Sequence, residues 1–250
     1  MRSATASTNS LNSAEAPESF RNLLIALMII GFLSVLISFS GRMFGGKVML
    51  GGNSVNTNTH EIVIANAVLN VPENYIRQSE QRSAGVKARL ELYAVWPSLE
   101  GYSAKNKIYF NNQQNGQSQL LFITIEPQQM SRDMSGRFDP IYRQLIDPMP
   151  ENTATAGLES YTFKEDRAIF ANERLFVGDR GEDRAFVARC ITGADGDQAL
   201  APCERDIFID NDLSVKYRFP FWLLKDYAKL DAQVLDLIGN MVVKTPKASG

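Results

Sequence analysis

Histidine is almost missing from this 250-residue chain, which holds one, His60, and cysteine is nearly as scarce, at two. With a single histidine, a Ser-His-Asp or Cys-His arrangement would depend on His60 alone, and no G-x-S-x-G elbow accompanies it. There is no G-x-x-x-x-G-K-[ST] loop and no G-x-G-x-x-G turn, which excludes nucleotide binding through those phosphate cradles. A basic excess is lacking too. Lysines and arginines number 26 against 28 acidic residues, the net charge is -2 and the pI about 5.6, so nothing is set up to neutralise nucleic-acid phosphates. Long apolar runs are absent but for one.

That run, NLLIALMIIGFLSVLISFSG, carries no charge over twenty residues between Arg21 and Arg42. At about 1.5 Å per residue it makes a helix of about 30 Å, the thickness of a bilayer's hydrocarbon core. A transmembrane helix over 20–41 is expected, and with it the membrane as a partner. The alternative is a secretory signal cleaved near Ser40, but the apolar core from Leu23 to Phe39 exceeds the usual signal length and follows a polar tail. Ser34 and Ser38 can bond back to helical carbonyls. Gly31, Ser34, Ser38 and Gly41 form one stripe of small residues, the pattern that permits close helix approach to a membrane-protein partner or a second copy. A lone anchor that merely tolerates them is the plainer reading.

Arg2 and Arg21 on one flank balance Arg42 and Lys47 on the other, so flanking charge does not orient the helix. The cysteines do. Cys190 and Cys203 bracket the turn-rich loop ITGADGDQALAP between two strand-like segments, FVARC and CERDIFI, and their spacing suits a structural disulfide rather than a redox or metal site. Such a bond persists in an oxidising compartment. The expected placement is the bacterial inner membrane, single-pass, with the N-terminus cytoplasmic and the C-terminal domain periplasmic.

The remaining organisation follows composition and periodicity. Residues 1–19 are too polar to fold alone, 42–60 read as a flexible tether, 61–243 as the soluble domain and 244–250 as a disordered tail. His60, at the tether's end, reads as solvated. EIVIANAVLNV, RLELYAVW, KIYF, LLFITIE, ESYTF, ERLFVGD, RAFVARC and RDIFI read as β segments. In LSVKYRF, Leu213, Val215, Tyr217 and Phe219 alternate with polar residues and predict one buried face. A short helix is expected at FDPIYRQLI, capped by Asp139, with Ile141, Leu145 and Ile146 inward. From Leu223 to Met241 the apolar residues recur at three and four and predict an amphipathic helix, with Asp231 on its polar side. The fold class is therefore α+β: one mainly antiparallel β domain with a C-terminal amphipathic helix on the sheet, behind a single N-terminal transmembrane helix.

No catalytic, cofactor-binding or metal-binding residue emerges. Asp195 and Asp197 sit in a loop that fails the EF-hand template at Leu200, where glycine is required, and read as a solvated turn. Asp210 and Asp212 suit turn geometry. Trp96, Phe219, Phe221 and Trp222 read as core, with a ligand cleft as the alternative.

The opening strand running into Val71-Pro72, the β-rich middle, and LSVKYRF followed by a helix containing Leu230-Asp231 and Val234 together resemble the PsbP-like α/β sandwich over residues 61–243. The pattern is also similar to that of uncharacterised membrane-anchored proteins of proteobacteria. The resemblance implies an accessory or assembly module rather than an enzyme. The function expected is a membrane-anchored extracytoplasmic binding or scaffolding module; the alternative is an envelope hydrolase or carbohydrate-acting enzyme using carboxylates that the sequence does not single out.

Overall fold

The computed structural model describes residues 22, 25, 27–35, 52–111, 118–155, 157–165, 170–179, 185–209 and 212–243. The chain divides into two units, 1–50 and 51–250. In the first, residues 27–35 are helical, and Ser34 Oγ donates to the Ile30 carbonyl at 2.9 Å, the back-bond a serine hydroxyl can make to the preceding turn of its helix. Among the described residues no helix is long and apolar enough to cross a membrane. Gly31 and Ser34 of the small-residue stripe lie on the described turns; Ser38 and Gly41, like the tails 1–19 and 244–250, lie outside the described residues.

In the second unit, β1 (Thr59–Ile64) and β2 (Ala67–Pro72) form a hairpin, with β3 (Gly85–Val86) parallel to β1. The run EIVIANAVLNV is thus two strands; Ala65 turns the chain with a φ of 51°. The domain does not begin sharply at Glu61, which lies within β1. Residues before it gather on Glu73: Ser54 Oγ donates to Oε1 at 2.6 Å, Asn56 Nδ2 donates to Oε2 at 2.9 Å, and His60 Nε2 sits 3.1 Å from Oε2. The Ser54 hydrogen bond, then His60 and Asn56, hold the Glu73 carboxyl below its ordinary pKa against the opposing effect of burial.

The large sheet has eight strands: β4 (Leu90–Val95), β5 (Leu120–Pro127), β6 (Glu151–Asn152), β7 (Leu158–Thr162), β8 (Glu173–Gly178), β9 (Phe186–Ile191), β10 (Cys203–Ile209) and β11 (Leu213–Phe219). Their order is β4-β5-β11-β10-β9-β8-β7-β6, all pairs antiparallel. Strands β6 to β11 are therefore one meander, closed by the β4–β5 hairpin against β11. The predicted inner face of β11 is fully buried, joined by Leu90, Leu92, Ala94 and Trp96 from the β4 segment. Over it packs the closing helix Tyr227–Met241 through Tyr227, Leu230, Val234, Ile238 and Met241. Leu237 is only partly buried, at the rim.

A second apolar cluster covers part of the opposite face. Met134, Phe138, Tyr142 and Ile146, spaced by four, pack on Tyr161, Phe163, Leu175 and Val187. The helix expected at FDPIYRQLI instead starts earlier, at Met134–Arg137, where Asp133 accepts from the Gly136 N–H at 2.9 Å as N-cap. Pro140 falls inside, and the missing N–H coincides with a widened turn, Phe138–Tyr142, before Arg143–Leu145 continues the helix. Asp139 pairs with Arg143 rather than capping, and Ile141 is exposed. KIYF is likewise not a strand: Lys107–Phe110 is a helical turn whose Phe110 ring meets Tyr93 edge-on at 4.7 Å, burying Tyr93. That burial pushes the Tyr93 hydroxyl up to about 12.

The sheet parts between β9 and β10. Two residue pairs join them in register, Cys203 with Cys190 and Glu204 with Arg189, and the Ile191 N–H donates to the Pro202 carbonyl at 3.0 Å; from Arg205 to Ile209 β10 has no register partner on β9. Arg205 fills the opening. Its Nη1 donates to the Val187 carbonyl at 2.9 Å and to Ser135 Oγ at 3.1 Å, while Nε and Nη2 donate to the two Asp231 oxygens at 2.9 and 3.3 Å. Tyr217 donates to Asp231 Oδ1 at 2.5 Å. Asp231 is thus fully buried, a correction to its expected place on the helix's polar side, and Arg205 is buried with it. Next to it, Asp206 accepts from the Met134 N–H at 2.9 Å and from Arg137 at 2.6 Å, which ties the short helix to the opening.

Candidate functional site

At the end of β11, Pro220 stops the strand and the 3-10 turn Phe221–Asp226 leads into the closing helix. Proline cannot extend the ladder, so the chain lifts off the sheet there and carries two aromatic side chains out with it. Trp222 is fixed by its Nε1 donating to the Ser118 carbonyl at 2.9 Å, with Lys225 Nζ 5.4 Å from its ring centroid. Phe221 meets the Phe176 ring edge-on at 5.4 Å yet remains 45% exposed.

The two aromatics form a ridge between two clefts. The larger, about 500 Å³, has Leu158, Phe176 and Leu224 in its wall, with Thr153, Arg174 and Lys225 as polar members. The smaller, about 460 Å³, lies toward the disulfide-bridged loop and includes Gly196, Leu200 and Pro202. Both are open to the surface and mixed in character, as protein-recognition clefts are, rather than deep and closed.

Cys190 and Cys203 form the disulfide, with S–S 2.04 Å and Cα–Cα 3.9 Å, directly opposite each other in register. The loop they close contains a short helix, Gly193–Gln198, instead of a plain turn. A side chain at Gly196 would run into the Ile191 carbonyl, so the loop is seated closely on β9. Asp195 accepts from Asn172 at 3.1 Å, Asp197 lines the smaller cleft, and Asp212 accepts the Gln128 N–H through its carbonyl at 2.8 Å; Asp210 lies outside the described residues.

Of the four aromatics named from the sequence, the structure divides two from two. Trp96 and Phe219 are core, while Phe221 and Trp222 line the clefts. Position before and after Pro220 is the signal that separates them: the strand's alternation ends at Phe219. Arg174 was not singled out. Its Nη2 lies 2.6 Å from Glu151 Oε2, an ion pair at the cleft wall. Among the described residues, Glu151 is the only acidic side chain in the wall of the larger cleft.

No family model and no curated protein matches the chain. Among solved structures, it is similar to an immunity protein of the Stenotrophomonas maltophilia type IV secretion system, at 14% identity and a TM-score of 0.50, covering 77% of this chain and 96% of that one. It is also similar to the Neisseria meningitidis iron-regulated outer membrane lipoprotein FrpD, at 14% identity and a TM-score of 0.46, over 76% and 94% of the two chains. The first likeness is one of fold.

Proposed function

We propose that this protein is a single-pass, membrane-anchored extracytoplasmic module that binds or scaffolds another envelope component through the Phe221–Trp222 ridge. The observation that carries this reading is Phe221: an aromatic ring seated edge-on against Phe176, 45% exposed, between two open clefts. Exposed aromatics on fixed supports are the side chains that anchor protein interfaces. The uncharged run at 22–41 supports an anchor, and the Cys190–Cys203 bond supports an oxidising compartment for the domain and hence a cytoplasmic N-terminus. The same fold serves as an immunity protein in a secretion system, and the PsbP-like resemblance implies an accessory module; both accord with work done by binding.

The test is site-specific. Full-length protein with a photo-crosslinking amino acid at position 221 is irradiated in intact cells, and the adducts are identified by mass spectrometry. A discrete envelope-protein adduct is expected at 221 and none with the probe at Glu159, an exposed position on β7. Equal labelling from both positions, or no adduct from 221, removes the ridge as the binding surface.

A further inference from the structure

The face of the large sheet turned away from the closing helix is covered over β7–β9 by the second apolar cluster, but β5 and β11 leave a charged cleft on it. There β11 presents Lys216 and Arg218. Register sets Lys216 against Asp206 and Arg218 against Glu204 on β10. Both acids are already engaged from elsewhere: Arg137 Nη2 lies 2.6 Å from Asp206 Oδ1, and Arg189 Nη2 lies 3.3 Å from Glu204 Oε1. Among the described residues, Lys216 and Arg218 therefore have no ion-pair partner. Arg218 donates one N–H to the Ala201 carbonyl at 3.1 Å.

On the other side, β5 sets Phe122 against Arg218 and Thr124 against Lys216. The Arg77 guanidinium lies 5.1 Å from the centroid of the Phe122 ring. These side chains wall a cleft of about 360 Å³ with Leu200. Among the described residues its one acid is Glu91, which accepts from the Thr124 hydroxyl at 3.2 Å and lies 3.3 Å from Arg89, so its charge is engaged. Lys216 also borders an adjoining cleft with Glu126, Glu204 and Asp206, of which the last two are paired with Arg189 and Arg137. Among the described residues of the wall, Arg77, Lys216 and Arg218 thus outnumber the acids in a protein of net charge -2.

We propose that this face docks an acidic segment of a partner protein, with carboxylates at Lys216, Arg218 and Arg77 and an apolar side chain against Phe122 and Leu200. Charge complementarity names the partner's sign, and register conflict explains why the site stays open for it. The concave wall and the aromatic beneath Arg77 fit a side-chain-bearing peptide, whereas an anionic bilayer presents a flat plane of headgroups. Leu200 also lines the smaller cleft beside Phe221, so one partner can run from the ridge onto this face. The proposal stands without the ridge reading.

The experiment uses full-length protein in detergent micelles and a fluorescein-labelled peptide of sequence Asp-Glu-Phe-Asp-Glu-Leu, followed by fluorescence anisotropy. Binding is expected to weaken with added salt and to fall about tenfold or more in K216E/R218E, since both charges face the cleft. K216Q/R218Q should fall by less while keeping the thermal midpoint, which separates lost charge from lost fold. F221S should bind this peptide as the wild type does, so a failure of the ridge is distinguishable. No binding by wild type, or equal binding by K216E/R218E, overturns the proposal. Capture of phosphatidylglycerol vesicles with no peptide binding also overturns it and assigns the face to lipid.

Discussion

Arg205 occupies an inward position of β10, between Cys203 and Ile207, where strand parity leaves a residue no access to water. A guanidinium there needs acceptors on every side, and it has them in Asp231, Val187 and Ser135. Burial disfavours its charge, but the Tyr217 and Asp231 oxygens outweigh that effect and raise its pKa. Removing one member strands the others. Asp231→Asn or Arg205→Met is expected to lower the unfolding free energy by about 3–5 kcal/mol, the range for breaking a buried pair. Arg205→Met with Asp231→Leu should recover much of the loss, because no buried charge is left unpaired. Urea denaturation of the four proteins decides; a double variant no better than the singles would show that the network's hydrogen bonds to Val187 and Ser135 outweigh the ion pair.

Between strands, the weak place is the β9–β10 seam, where two register pairs, the disulfide, the Ile191–Pro202 hydrogen bond and the Arg205 side chain join the halves of the sheet. Closing a loop of this size is worth about 3 kcal/mol in the chain-entropy model. In C190A/C203A, hydrogen exchange should accelerate at the amides of Glu204 and Ile191 well before those of β11, which is paired along its length to both neighbours. Uniform acceleration across the sheet would show that the seam is no weaker than the rest. Much of this level was legible in advance. The disulfide followed from two strand-like segments and a turn-rich loop, and β11 and the closing helix from their periods. What escaped notice depended on tertiary context. KIYF has a strand's composition, but Phe110 is drawn into a helical turn by Tyr93 and Tyr102. The Met134, Phe138, Tyr142, Ile146 stripe was hidden by Pro140, which drew the expected start of the helix too late. Asp231 looked solvent-facing because a helix pattern weighs polarity, and only the inward parity of Arg205 calls for an acid opposite.

At the scale of the whole molecule, the proposed anchor and the folded domain make separate demands on sequence. If the stripe of Gly31 and Ser38 serves a helix partner, Gly31→Leu with Ser38→Leu should leave membrane insertion intact and abolish helix crosslinking. Unchanged crosslinking would leave the segment an anchor alone. The domain's own constraint lies in the order of its strands. Synthesis delivers the β4–β5 hairpin first, and then β6 to β11 in succession, each able to pair with the strand just made. The partner of β5, however, is β11, the last strand of all. Until it arrives, LLFITIE presents an apolar edge with open backbone groups, the kind of surface on which chains aggregate. The Cys190–Cys203 pair can close earlier, since it joins neighbours within the meander. Oxidation can therefore precede completion of the sheet, and whatever attends the nascent chain has to shield β5 for the whole time the meander takes to form.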